Sequence, residues 1–142
     1  MKAKRLSAGV VVVRRFDDGM RFLLLRCFGY WDFSKGEVEA GENPLETACR
    51  EVAEETGLSA LDFRWGEDYT ETPPYAQGKV ARYYLAECPR GEVTLPVSPE
   101  LGAPEHHEFR WATANEAGSL LNDRVRKVLE WARDLMNVRS TP

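Results

Sequence analysis

Gly36-Glu37-Val38-Glu39-Ala40-Gly41-Glu42-Asn43-Pro44-Leu45-Glu46-Thr47-Ala48-Cys49-Arg50-Glu51-Val52-Ala53-Glu54-Glu55-Thr56-Gly57-Leu58 carries the strongest local signals in the chain. It reads as a loop, a helix and a stop. Asn43 is a good N-cap, Pro44 suits the first helical position where no N–H is needed, and Gly57 can take the left-handed conformation that ends a helix. The spacing predicts a helix over about 44–56. At about 100° per residue, Leu45, Ala48, Cys49, Val52, Ala53 and Thr56 gather on one side, and Arg50, Glu51, Glu54 and Glu55 on the other. One face is expected to pack and the other to be acidic.

Carboxylates crowded within two turns repel one another, so the acidic face is either a solvated surface or a place where a cation sits. An oxygen-only ligand set suits a hard ion. Mg2+ is the natural candidate, because a few carboxylates hold it while waters and phosphate oxygens fill its octahedron; Mn2+ fits the same ligands.

Upstream, Leu6 to Phe16 is β-branched and largely apolar, as a strand covered on both faces would be. Asp17-Asp18-Gly19 turns the chain, and Arg21 to Arg26 is the next strand. Tyr30-Trp31-Asp32-Phe33-Ser34-Lys35 leads straight into Gly36. Lys35 is therefore placed to meet a phosphate, while Trp31 is either a packing residue or part of the site. Downstream, Leu61 to Tyr69 reads as a strand, Pro73-Pro74 as an irregular loop holding Tyr75, and Val80 to Ala86 as a strand. In the last of these Arg82 and Tyr84 point one way, and Tyr83 and Leu85 the other. Glu92 to Pro104 is a long connection, and Glu105 to Trp111 enters a last strand. Thr113 and Glu116 form a capping box for a short helix, and a final helix is expected over about 122–137.

At 142 residues, with 43% hydrophobic and 30% charged residues and no repeat, a single globular domain spanning 1–142 is expected. The net charge of −4 argues against a duplex held through many phosphate contacts. No apolar run approaches a membrane span and no signal-peptide core follows the first residues, so a soluble, cytoplasmic protein is expected. Cys27, Cys49 and Cys88 are widely spaced and read as reduced thiols. His106 and His107 would face opposite sides of a strand, and with no further histidine no zinc set is expected.

From Gly36 to Leu58 the chain fits without mismatch the pattern Gly, five residues, Glu, seven residues, Arg-Glu, an aliphatic, any residue, Glu-Glu, any residue, Gly, an aliphatic. This resembles the Nudix box, and the whole chain resembles Nudix hydrolases. The resemblance implies an α+β fold, an α/β/α sandwich with a central mixed β-sheet and the box as a loop-helix-loop. It implies cleavage of a nucleoside diphosphate linked to another moiety. Trp31 to Gly36, Tyr83 to Glu87 and Glu105 to Trp111 look most like the asymmetrical diadenosine tetraphosphate hydrolases, with one departure: Ser34 stands where that subgroup usually has Pro.

Carried onto this chain, the resemblance implies that Glu51, Glu54 and Glu55 hold divalent ions with the Gly36 carbonyl, and that Arg50 positions Glu51. Glu42 would join the outer shell. Glu105 is the choice for a further loop carboxylate with catalytic and metal roles, and Glu108 the runner-up. Lys35 would bind phosphate, and Tyr83 and then Phe109 would stack on a base. The expected partner is a small dinucleoside polyphosphate or nucleotide. Alternatives are the 5′ triphosphate end of RNA, a nucleoside triphosphate, an inositol pyrophosphate, or a non-catalytic nucleotide sensor.

Overall fold

The computed structural model describes residues 5–140. The β-branched run forms strand β1 (Arg5–Phe16), and a turn at 17–18 reverses it into β2 (Gly19–Cys27). Next come β3 (Tyr30–Asp32) and β4 (Ser34–Glu37), so the approach to Gly36 is extended rather than the loop expected. The pairing of Ser7 to Val10 with Ser34 to Glu37 explains this, since β1 offers its free edge there. Helix α1 (Pro44–Thr56) is followed by β5 (Tyr69–Glu71), β6 (Lys79–Glu87), β7 (Val97–Ser98), β8 (Ala103–Pro104), β9 (Glu108–Ala112), α2 (Ala114–Leu120) and α3 (Asp123–Ser140).

The main sheet runs β3-β2-β1-β6-β5, with β4 on β1 and β9 on β2. Among the described residues β1 and β6 pair in parallel and the other strand pairs are antiparallel, so the sheet is mixed. Alternation along β1 divides the core. Val11 and Val13 face Val125, Val128, Leu129 and Ala132 of α3, whereas Val10 and Val12 face Ala48 and Val52 of α1. Tyr83 and Tyr84 are divided in the same way between the two layers. The result is an α+β sandwich with one helical layer on each face of the sheet. No helix among the described residues is long and apolar enough to cross a membrane.

Four expected elements are revised. The strand expected over 61–69 shrinks to a bridge between Asp62 and Glu87, a turn closed by the Gly66 N–H on the Phe63 carbonyl, and β5 beginning at Tyr69. That turn carries Trp65 into the core, which straight extension would not do. The connection 92–104 folds onto itself as a small β7–β8 ribbon. The last strand begins at Glu108 rather than Glu105, and α3 begins after Asn122, whose side chain accepts from the Val125 N–H at 3.0 Å.

Candidate active site

Helix α1 starts and stops as its residues dictate. Asn43 caps it in a capping box with Glu46, and Gly57 closes it at φ 78°. The helix lies against β1 and β4, and Gly36 explains how closely: a Cβ at that position would collide with the Glu51 carboxylate. Glycine here makes room for a carboxylate over the strand.

Arg50 organises the outer part of the cluster. Its guanidinium grips Glu42 with two bonds, Nε at 2.7 Å and Nη2 at 3.0 Å, and reaches Glu51 and Glu54 at 3.1 Å each through Nη1. The Arg50 bond, helped by the Thr47 hydroxyl, holds the Glu42 carboxyl down at about 2. Glu51 goes the other way: burial raises it, and Arg50 only partly offsets that.

The helix faces depart from expectation in two places. Ala53 is exposed, and Glu55 is buried beneath the acidic face with 6% exposure. Glu55 accepts a hydrogen bond from the Ser34 hydroxyl at 2.7 Å. Burial pushes its carboxyl up to about 10 despite that bond, and the neighbouring Glu105 adds to the rise. An oxygen of Glu55, an oxygen of Glu105 and a ring nitrogen of His106 all lie within 4.8 Å of one another. Burial lowers the pKa of His106.

Lys35 is anchored by Asp32, with Nζ to Oδ2 at 3.3 Å. Burial disfavours its charge, but Asp32, Tyr75 and Glu55 outweigh burial and its pKa rises. The other Asp32 oxygen accepts from the Phe33 N–H at 2.7 Å and the Tyr83 hydroxyl at 2.9 Å.

These groups border two adjoining cavities. A cleft of about 730 Å³ is lined by Lys35, Gly36, Glu51, Glu54, Glu55 and Glu105, with Arg5 and Lys79 on its rim. A second cavity of about 320 Å³ shares Lys35, Glu55 and Glu105 and is walled by Phe28, Tyr30 and Trp31. Phe28 and Tyr30 are 74% and 73% exposed. Exposed aromatics beside a cavity offer stacking area.

Several expected site residues are therefore brought together: Lys35, Gly36, Glu51, Glu54, Glu55 and Glu105 line the cleft, and Arg50 and Glu42 brace it. Tyr83 is not with them. It is fully buried, with its ring 6.0 Å from Phe33, and offers no face to a base. Its parity within β6 turned it inward because both faces of the strand are covered. Phe109 is 39% exposed on β9 and lines neither cavity. Glu108 is tied to Arg26 at 2.8 Å, so Glu105 is the loop carboxylate that reaches the cleft. Trp31 combines both readings, packing on the core while lining the smaller cavity. Ser34, Asp32, His106, Phe28 and Tyr30 were missed as site groups. Only the aromatic density of Phe28-Gly29-Tyr30-Trp31 at a strand junction could have pointed there.

The carboxylate oxygens of Glu51, Glu54, Glu55 and Glu105 along the cleft are donors that suit a hard divalent cation.

A family model described as the NUDIX domain matches residues 3–132. The asymmetrical bis(5′-nucleosyl)-tetraphosphatase of Mus musculus is 32% identical over 133 residues, covering 85% of this chain and 87% of the mouse protein. An RNA pyrophosphohydrolase of Shewanella sediminis is 27% identical, covering 89% and 83% respectively. The fold is that of the C. elegans Ap4A hydrolase in a binary complex, with a TM-score of 0.77 at 21% identity, covering 94% of this chain and 98% of that one. The box residues meet over the cleft in a fold of the same kind, and on that evidence the chain belongs to the NUDIX-domain family and is a hydrolase of pyrophosphate linkages.

Proposed function

We propose that the chain cleaves dinucleoside tetraphosphates asymmetrically, giving ATP and AMP from diadenosine tetraphosphate. The observation that carries this reading is the pair of joined cavities, one acidic with a basic rim and one aromatic, sharing Lys35, Glu55 and Glu105. A long polyphosphate with a base at its end has that distribution of chemistry. The similarity to the mouse tetraphosphatase supports the same substrate class.

In this reading Glu51, Glu54, Glu55 and Glu105 hold Mg2+, with the Gly36 carbonyl as a further ligand. The bound ion lowers the pKa of water and neutralises phosphate oxygens. The chain's own residues do the rest. Arg50 fixes Glu51 and Glu54 by direct bonds, and the Ser34 hydroxyl fixes Glu55. Lys35, oriented by Asp32, meets the charge that develops on the phosphoryl oxygens. A carboxylate among Glu51, Glu54 and Glu105 accepts the proton of the attacking water. Phe28 and Tyr30 take the place first given to Tyr83 as base-stacking groups, because they are exposed beside the cluster and Tyr83 is not.

The test is product analysis with Mg2+ on diadenosine tetraphosphate, triphosphorylated RNA, nucleoside triphosphates, ADP-ribose and an inositol pyrophosphate. Equal amounts of ATP and AMP, formed faster than any other product, are expected. Faster release of pyrophosphate from RNA ends would replace the dinucleotide with the substrate class of the Shewanella relative.

A further inference from the structure

His106 precedes β9 and lines the aromatic cavity beside Glu55 and Glu105. Its neighbour His107 is turned elsewhere, with its ring 4.9 Å from Phe28 in an edge contact. The His106 Nδ1 is buried and has no hydrogen-bond partner among the described residues. Such an atom has given up water without a replacement, which native structures rarely tolerate without a reason.

The reason is chemical if the ring is a ligand. Two carboxylates alone favour Mg2+, but an imidazole nitrogen added to them raises affinity for transition ions, for which Mg2+ competes poorly. The three donors come from two places: Glu55 is fixed from the sheet by Ser34, and Glu105 and His106 are adjacent on the segment before β9. An ion held by all three would cross-link that segment to α1.

We propose that Glu55, Glu105 and His106 form a mixed oxygen–nitrogen position that takes a divalent transition ion, Mn2+ or Co2+, in preference to Mg2+. The proposal rests on the reading of Glu55 and Glu105 as cation ligands and adds a nitrogen donor to it.

Calorimetric titration of Mg2+, Mn2+ and Co2+, each alone, into the full chain and its His106→Ala variant tests this, together with imidazole 15N NMR of the wild type. Wild type should bind Co2+ and Mn2+ at least about tenfold more tightly than Mg2+, and H106A should lose that advantage while its Mg2+ affinity stays within about twofold. The chain has two histidines, so His107→Ala assigns the signals, and those of His106 should shift on Co2+ binding. An unchanged Co2+ to Mg2+ ratio in H106A, or unshifted His106 signals at saturating Co2+, would overturn the proposal. The NMR arm needs no folded variant at position 106. Mg2+ binding with no effect of H106A would remove only the nitrogen ligand, whereas failure of all three ions to bind would remove the carboxylate site itself.

Discussion

The two halves of the carboxylate cluster differ in how their charge is balanced. In the outer half, Glu42, Glu51 and Glu54 surround Arg50 and are bonded to it, so their geometry is held by the protein alone. In the inner half, Glu55 lies buried beside Glu105, takes its hydrogen bond from the neutral Ser34 hydroxyl rather than from a guanidinium, and burial raises its carboxyl to about 10. Arg50 braces the outer half from within. In the proposed reading, the inner half is where a divalent ion would displace the proton that burial favours on Glu55.

The largest expected effect tests the shared purpose of the halves. Glu54→Gln and Glu55→Gln should each reduce kcat on diadenosine tetraphosphate by about a thousandfold or more, since several kcal/mol of charge stabilisation are removed while circular dichroism stays native. Retained turnover in both variants would break the metal-site account. Stability should then separate the halves by sign. In EDTA at pH 8, E55Q should stabilise the fold by about 1–3 kcal/mol, because an amide needs no proton to be buried neutral. Arg50→Ala should destabilise it by about 1 kcal/mol, the modest scale of partly solvated ion pairs. Denaturant melts of the two variants would show the contrast, and the same sign in both would erase it.

A pH profile of the metal-free protein sharpens the comparison further. Glu55 has an ordinary carboxyl value of 4.5 when unfolded and about 10 when folded. Its contribution is complete below 4.5, where both states hold the proton, and drains away as pH rises towards 10 because the unfolded chain releases its proton first. Glu42 is depressed to about 2, so its contribution is present above 4.5 and fails only in acid as pH falls towards 2. Melting temperature in EDTA should therefore fall between pH 6 and pH 9, and E55Q should flatten most of that slope. The smallest effect concerns Tyr83. Tyr83→Phe should cost about 1 kcal/mol through its bond to Asp32 and leave KM for the dinucleotide unchanged, whereas Tyr30→Ala should raise it several-fold. A raised KM in Y83F alone would restore the base-stacking reading.

The outer half was largely legible in the sequence. Helix spacing, the Asn43 and Gly57 caps and the Arg-Glu pair are local features, and the family resemblance supplied the fold around them. The inner half was less so. Helical periodicity put Glu55 on the acidic face of α1 among the expected ion ligands but could not show that it is buried there, because it does not say how closely β4 packs against α1. His106 joins Glu55 across 51 positions of chain, a proximity no local pattern carries. Tyr83 shows the same limit in the sheet: strand alternation assigned it to one face correctly, but not which layer would cover that face. Phe28 lies in the two-residue turn 28–29 at φ 55° and Tyr30 follows that turn at the start of β3, so their exposure follows from a backbone reversal, not from hydropathy.

The most direct test of the inner half as a cation site is a Mg2+ titration at pH 7.5 in buffers of different ionisation enthalpy, with proton release read from the dependence of heat on buffer. Saturable binding with release of about one proton, lost in E55Q, is the expected result. Binding with no proton released, or no binding, would contradict the claim that Glu55 holds a proton in place of a cation.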